Sequence, residues 1–324
     1  MKQLLSIVIL ICSFQLSAQN IYKRTLKLMG SRFEITVVAT DSIEADKFID
    51  LGIGEISRIE KLISSWDNDS QTSEINKNAG IKPVKVDKEL FNLIERCLKI
   101  SKITDGAFDI SYASMDKVWQ FDGSMKTMPS KEEITNSVEK VGYSNIELNK
   151  DDSTVYLKKP GMKIGFGGIG KGYAADRAKE LLISKGVEAG IINASGDMNT
   201  WGKQPSGENW KVAITNPFNK DKAFALLPVV NSAVVTSGDY EKFVTFNGTR
   251  YAHIIDPRSG YPSTGIISAT VFAPKAELAD ALATSVFVMG VDIGLDRLNQ
   301  LPGIECIIID TEGNIHSSDN IKID

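Results

Sequence analysis

The chain is poor in the residues that build zinc and redox centres, with three cysteines and two histidines in 324 residues. No CxxC pair and no Cys/His cluster occurs, which excludes a zinc-finger type of site or a redox dithiol. A large excess of either charge is also lacking, with 37 Lys and Arg against 41 Asp and Glu, and a formal charge of −4 argues against a general nucleic-acid binder. Only residues 4–11 form a long apolar run; it is too short to span a bilayer as a helix, and no second run is longer. Repeats and low-complexity linkers are lacking as well, so nothing in the composition divides the chain into modules.

What is present begins with a leader. Met1-Lys2-Gln3 precedes the apolar run, and Leu16-Ser17-Ala18 offers a small-residue cleavage site before Gln19. This pattern predicts a secretory signal peptide over 1–18 and an exported, periplasmic mature chain over 19–324. Cys12 raises the lipoprotein alternative, but Ile11 stands where a lipobox wants a small residue, so cleavage after Ala18 is favoured. Cys97 and Cys306 remain, both in apolar surroundings; buried free thiols are the expectation, with a disulfide the alternative in an oxidising compartment. With 42% hydrophobic residues, the mature chain can bury a large core in one or two lobes.

Alternation over 25–39, broken at Met29-Gly30, predicts a β-hairpin. Ala45, Ile49, Ile53, Ile56, Ile59 and Ile63 share one face of a helix expected over 42–63, with Ser42 as its N-cap. Asp87 caps another helix reaching 103, and Ser130-Lys131-Glu132-Glu133 is a capping-box signature for a third. Short strands are expected near 146–148 and 154–157. A helix over 172–185 leads to a strand at 189–193, and strand patterns recur at 210–215, 224–230, 233–236, 243–246 and 266–272. A helix over 274–289 stops at Gly290, and strands at 305–310 and 314–317 close the chain. Runs of strands with inserted helices, rather than strict βαβ alternation, predict an α+β fold of two closely packed lobes with mixed or antiparallel sheet, forming one unit.

Gly165-Phe166-Gly167-Gly168-Ile169-Gly170-Lys171-Gly172 follows a strand and opens a helix, where backbone N–H groups can hold a phosphate. It fits the letters of two familiar motifs and the context of neither. A P-loop needs Ser or Thr after the lysine, where Gly172 stands. A dinucleotide fingerprint needs an acid ending the next strand, and Glu188 precedes that strand instead. An anion or metal cradle beside Lys171 and a plain tight turn both remain open.

Four further segments carry chemistry. His253-Ile254-Ile255-Asp256-Pro257-Arg258-Ser259-Gly260 sets a histidine three residues before an Asp-Pro turn; the plain reading is a strand end and an ordinary turn. Asp280 and Thr284 are four apart and share one face of an otherwise Ala/Leu/Val-rich helix. A buried carboxylate is costly unless paired or metal-bound, and carboxylate, hydroxyl and carbonyl oxygens are the ligands Mg²⁺ or Ca²⁺ prefers. Thr104-Asp105-Gly106-Ala107-Phe108-Asp109 and Asn193-Ala194-Ser195-Gly196-Asp197 set carboxylates in turns beside predicted elements, and Ser64-Ser65-Trp66 offers an aromatic surface in a polar stretch.

In order, these segments resemble the ApbE family of FAD:protein FMN transferases. The carriers run from Met29-Gly30 through Ser65-Trp66, residues 70–76, 104–109 and 119–121, the strip to Asp176, Ser195-Gly196-Asp197, residues 236–240 and 253–260, to 279–284. The resemblance implies transfer of the FMN half of FAD to a Thr or Ser hydroxyl of an acceptor protein, with Mg²⁺ and release of AMP, in a cleft between the lobes. It places the catalytic base on His253 and the metal on Asp280, Thr284 and the main chain near Gly168; the nearby Asp256 is expected, on its own chemistry, to orient the imidazole. Flavin contacts fall on Met29, Trp66, Ala107, Phe108, Asp109, Lys171 and Ile254. Gly165 stands where most members carry Asp, Ser195 replaces a glycine and Ser259 a threonine, but the histidine and metal pair are kept.

The residue chemistry agrees with such a reaction. Pyrophosphate charge must be neutralised before a hydroxyl attacks phosphorus, and Mg²⁺ with Lys171 would do so. A histidine changes charge near neutral pH and suits the task of taking the hydroxyl proton. The alternatives are a Mg²⁺-dependent FAD pyrophosphatase and a flavin-binding protein without chemistry. No flavinylation motif occurs in the chain itself, so the acceptor is expected to be another exported protein.

Overall fold

The computed structural model describes residues 19–216, 219–239 and 242–321. The leader expected over 1–18 lies outside the described residues. The chain opens with strands β1 (Asn20–Leu28) and β2 (Ser31–Ala39), joined at Met29 and Gly30 with φ of 48° and 71°. Positive φ at both central residues matches the right-handed twist of the strands, which is why the alternation breaks there.

Helix α1 (Ser42–Ile63) buries Ala45, Ile49, Ile56, Ile59 and Ile63, the three-and-four spacing of one helical face. Its cap is Asp41 rather than Ser42: the Asp41 carboxylate accepts from the Glu44 N–H at 2.8 Å, one residue earlier than the sequence pattern implied. Helix α2 (Gln71–Lys77), strand β3 (Val84–Lys85) and helix α3 (Lys88–Ile103) follow. Helix α4 (Lys131–Ser137) carries the expected capping box, Glu133 N–H to Ser130 Oγ at 3.2 Å and Ser130 N–H to the Glu133 carboxylate at 2.7 Å. Strands β4 (Ile146–Asn149) and β5 (Thr154–Leu157) complete a three-stranded sheet of order β3-β5-β4.

The second half supplies α5 (Gly170–Ser184), β6 (Gly190–Ala194), β7 (Asp197–Trp201), β8 (Trp210–Asn216), β9 (Asn219–Val229) and β10 (Ala233–Gly238). Then come β11 (Phe243–Phe246), β12 (Thr249–Ala252), β13 (Ile266–Ala273), α6 (Ala276–Met289), α7 (Val291–Asn299), β14 (Glu305–Asp310) and β15 (Ile315–Ser317). The main sheet has eight strands in the order β1-β2-β6-β7-β10-β13-β14-β15. Every neighbouring pair is antiparallel, so the strand after the glycine strip belongs to no parallel βαβ unit. That removes the dinucleotide-fold reading of the strip.

Helices α1, α5, α6 and α7 pack side by side over the sheet, α1 on β2, α5 on β6 and β7, α6 on β10 and β13, α7 on β14. On another part of the sheet Val212 and Val229 of the β8–β9 hairpin meet Val234, Met198 and Phe272. Covered in this way, β13 is buried along nearly its whole length. One continuous apolar core joins Phe33 and Ile35 of the main sheet to Leu90 and Ile94 of α3 and Val155 of β5, so the two lobes share their interior. A small satellite core of Trp119, Ile134 and Val244 anchors the loop before α4, with the Trp119 indole N–H on the Gly260 carbonyl at 2.9 Å. Cys97 and Cys306 are free, buried thiols, as expected, and burial pushes both well above the usual thiol range.

Candidate active site

A cleft of about 560 Å³ opens where the start of α5, the β6–β7 turn, the end of β10, the segment after β12 and the first turns of α6 meet the loop after α3. Its size is that of a small-molecule site. Nine of the twelve residues given site roles from the sequence line it: Ala107, Phe108 and Asp109; Gly168 and Lys171; His253 and Ile254; Asp280 and Thr284. Met29, Trp66 and Asp256 are not in that lining.

The loop after α3 is built by its own polar side chains. Thr104 Oγ1 donates to the Ile100 carbonyl at 2.9 Å and accepts from the Phe108 N–H at 3.2 Å, turning the chain into the cleft. The Asp109 carboxylate is buried and accepts from Ser111 N–H at 2.7 Å, Ser111 Oγ at 2.6 Å and Tyr143 N–H at 2.7 Å. Burial raises its pKa while these donors work against the rise. Asp109 therefore shapes the wall through its hydrogen bonds.

The glycine strip is a close-approach device rather than a left-handed turn, since none of its glycines has positive φ. A Cβ on Gly168 would sit 3.3 Å from Thr284 Oγ1, so the strip's backbone lies directly against that hydroxyl. A Cβ on Gly172 would come within 2.3 Å of the Ala276 carbonyl oxygen. This contact explains the glycine where a P-loop would carry Ser or Thr: α5 and α6 touch backbone to backbone there. The Gly172 N–H also points at the Asp280 carboxylate, at 3.3 Å.

Three charged groups meet at this junction. Lys171 on the first turn of α5 pairs with Asp197, which opens β7 after the tight Ser195-Gly196 turn at φ of 60° and 105°. Asp197 and Asp280 are 3% and 4% exposed, and burial raises the pKa of each, with the Asp280 charge adding to the rise at Asp197. Burial opposes the charge on Lys171, but Asp280 and Asp197 more than offset it and hold the ammonium charged. One ammonium cannot balance two ionised carboxylates, so a cation beside Asp280 would let both carry their charge. Among the described residues no three Asp, Glu, His or Cys side chains converge as a metal cage. The hard oxygens at hand are the Asp280 carboxylate, the Thr284 hydroxyl and the Gly168 backbone, a set suited to Mg²⁺, which takes one or two carboxylates and leaves the rest to water and phosphate.

His253 lies in a bend just past β12, with its N–H on the Lys242 carbonyl at 3.0 Å. The chain then doubles back: Ser263 N–H reaches the Ile254 carbonyl at 2.8 Å and Asp256 N–H the Tyr261 carbonyl at 2.9 Å. The strand end and Asp-Pro turn are as the sequence implied. The Asp256 carboxylate accepts from the Arg258 backbone and Nε, each at 2.9 Å, and Nη2 at 3.0 Å. The other histidine, His316, sits on β15 and pairs with Asp310 at 2.8 Å, leaving His253 as the cleft's imidazole.

Met29 lies at the hairpin turn, its N–H on the Glu60 carboxylate at 3.1 Å and its Cε beside Gly170. Trp66 is 85% exposed, with the Lys117 ammonium 5.5 Å from its ring centroid. Asp197 stands in a segment singled out in the sequence, Ser195-Gly196-Asp197, but spacing gives no hint of its pairing with Lys171, 26 residues away. Tyr112, whose hydroxyl accepts from the Gly167 N–H at 3.2 Å, carried no signal at all.

The chain matches the model of the ApbE family over residues 29–308. It is 31% identical over 296 residues to a protein of Klebsiella pneumoniae named FAD:protein FMN transferase, covering 91% of this chain and 90% of that one. A Treponema pallidum protein of the same name is 30% identical over 277 residues, 81% of this chain and 76% of the other. The crystal structure of the ApbE protein from Thermotoga maritima superposes with a TM-score of 0.83 at 31% identity, covering 93% of this chain and 97% of that one. With its eight-stranded antiparallel sheet and the cleft of Lys171, Asp197, Asp280 and His253, this chain belongs to the ApbE family.

Proposed function

We propose that the protein transfers the FMN moiety of FAD to a Thr or Ser hydroxyl of an exported acceptor protein and releases AMP. The observation that carries this reading is the meeting of Lys171, Asp197, Asp280 and Thr284 with the cleft's histidine in one pocket. The related proteins named for this reaction support it.

In this reading the pyrophosphate of FAD lies over the start of α5, where the positive end of the helix and Lys171 meet its charge. Mg²⁺, held by Asp280, Thr284 and the Gly168 carbonyl, would neutralise phosphate charge. His253 takes the proton of the acceptor hydroxyl as its oxygen bonds to the FMN phosphorus; the bond from that phosphorus to the bridging oxygen breaks, and AMP leaves with that oxygen. Asp256, through Arg258, holds the turn that carries His253. The wall of Ala107, Phe108, Asp109 and Ile254 contacts the flavin, with Met29 and Trp66 closing over it from outside the cleft lining.

We place the reaction outside the cytoplasm, on the sequence of residues 1–18, with residues 19–324 acting as one catalytic unit. Among the described residues no helix is long and apolar enough to cross a membrane. The test is incubation with FAD and Mg²⁺, with and without an acceptor domain. AMP release that requires the acceptor supports transfer. AMP and free FMN without acceptor would mean a pyrophosphatase, and intact FAD throughout a binding protein.

A further inference from the structure

Helix α6 begins without a cap of its own: Lys275 at its N-cap position makes no side-chain bond to the first turn. Its leading N–H groups need partners, and they find them a hundred residues away. One carboxylate oxygen of Asp176 on α5 accepts from the Ala276 N–H at 2.9 Å, and the other accepts from the Glu277 N–H at 2.9 Å. The amide of Asn199 on β7 donates to the first of these oxygens. Lys179 Nζ completes the cluster, donating to Asn199 Oδ1 at 2.8 Å and to the Thr200 carbonyl at 2.9 Å. Asp176 is 4% exposed and Asn199 1%, and neither lines the cleft.

The cluster joins the three elements that carry the charged groups of the site. On β7, Asn199 follows Asp197 by two and shares its face of the strand. On α6, Ala276 precedes Asp280 by four and shares its face of the helix. On α5, Gly172 and Asp176 are four apart, one bonded to Asp280 and the other to the start of α6. We propose that Asp176, with Asn199 and Lys179, is the positioning hub of this site, setting where Asp280 and Thr284 stand relative to Lys171 and Asp197. The inference rests on the metal assignment made above. It accounts for an acid at 176: a carboxylate can accept all three N–H groups on two oxygens, whereas an amide has one oxygen for them.

The test uses the full-length mature protein with FAD and compares Asp176→Ala, Asp176→Asn, Asn199→Ala and Asp280→Ala. Mn²⁺ binding is read by electron paramagnetic resonance, Mg²⁺ half-saturation by AMP release, amide exchange at Ala276 and Glu277 by NMR or mass spectrometry, and stability by thermal melting. Asp176→Ala should weaken Mn²⁺ binding and raise the Mg²⁺ half-saturation by roughly 10–100-fold, the usual effect of losing a group that orients a metal ligand. Metal-free FAD binding should stay within a few-fold, turnover should recover at saturating Mg²⁺, and α6 amide exchange should accelerate; Asp176→Asn and Asn199→Ala should fall between. If Asp176→Ala fails to fold, those two variants carry the test. A folded variant with lowered melting temperature but wild-type Mn²⁺ affinity and Mg²⁺ half-saturation would reduce Asp176 to a structural residue and overturn the proposal. If Asp280→Ala binds Mn²⁺ like the wild type, the metal assignment itself fails and takes the proposal with it; loss of metal in Asp280→Ala alone leaves that assignment standing and sinks the hub.

Discussion

Replacing Gly172 by alanine probes how tightly the two helices of the site are set. The added methyl would lie 2.3 Å from the Ala276 carbonyl oxygen, 2.6 Å from its carbon and 2.9 Å from the Glu277 nitrogen. All three are backbone atoms, so no side chain can swing aside. Restoring a contact of about 3.5 Å from 2.3 Å moves the start of α6 by more than 1 Å from that of α5. Alanine gains about 1 kcal/mol of helix propensity over glycine, but overpacking of this kind costs about 1–3 kcal/mol. The net effect on stability is then small, a loss of about 0–2 kcal/mol. Function pays more heavily, because the shift separates Lys171 from Asp280, and a misplacement of about 1 Å costs on the order of 10²-fold in rate. The assay is AMP release at saturating FAD and acceptor over a Mg²⁺ titration, with a thermal melt beside it. A Gly172→Ala enzyme with wild-type rate and Mg²⁺ half-saturation would refute the claim that the α5–α6 contact sets the site.

His253→Ala should leave FAD binding intact and cut transfer by about 10²–10⁴-fold, the usual contribution of a general base; equal rates in single-turnover assays would remove His253 from the reaction. Asp280→Ala should abolish the Mg²⁺ dependence of turnover, and an unchanged titration curve would reject it as a ligand. For pH, burial pushes Asp176 up from 3.8 to about 6, so the folded state holds this proton more tightly than the unfolded chain. The stability lost is absent below pH ~4, grows as pH rises to about 6 and is complete above it, amounting to ~3 kcal/mol at 1.36 kcal/mol per pH unit. Asp176→Asn lacks this titration, so denaturant melts should show the wild type losing ground to the variant by that order between pH 4 and 7. A constant difference across that range would contradict the buried, ionisable state of Asp176.

Local chemistry was legible in the sequence, and long-range pairing was not. The β1–β2 hairpin, the apolar face of α1 and the capping box of α4 were readable because each is decided within a few residues by alternation, helical spacing or a side chain bonding its own turn. Helix α7 escaped because only Gly294 and Leu298 of its nine residues are buried, too few to mark a face. Strand β7 was hidden behind Ser195-Gly196-Asp197, which reads as a turn until β7 is seen to pair with β6 and β10. Most residues of the cleft were named from sequence, yet the bonds that make it a site join α5 to β7 and α5 to α6. Spacing along the chain carries no information on partners 26 or 100 residues apart. For the same reason Asp176 reads as one more polar residue of a helix until α6 is placed against it.

The most direct test of the central claim is a mass balance on one reaction. Purified protein, FAD and Mg²⁺ are incubated with an exported acceptor domain; released AMP is counted, and the acceptor is denatured, digested and examined for flavin by mass spectrometry. One AMP is expected for each FMN, with the flavin on a single Ser or Thr through a phosphoester and its attachment lost in His253→Ala. AMP accumulating with free FMN while the acceptor peptides stay unmodified would contradict that claim.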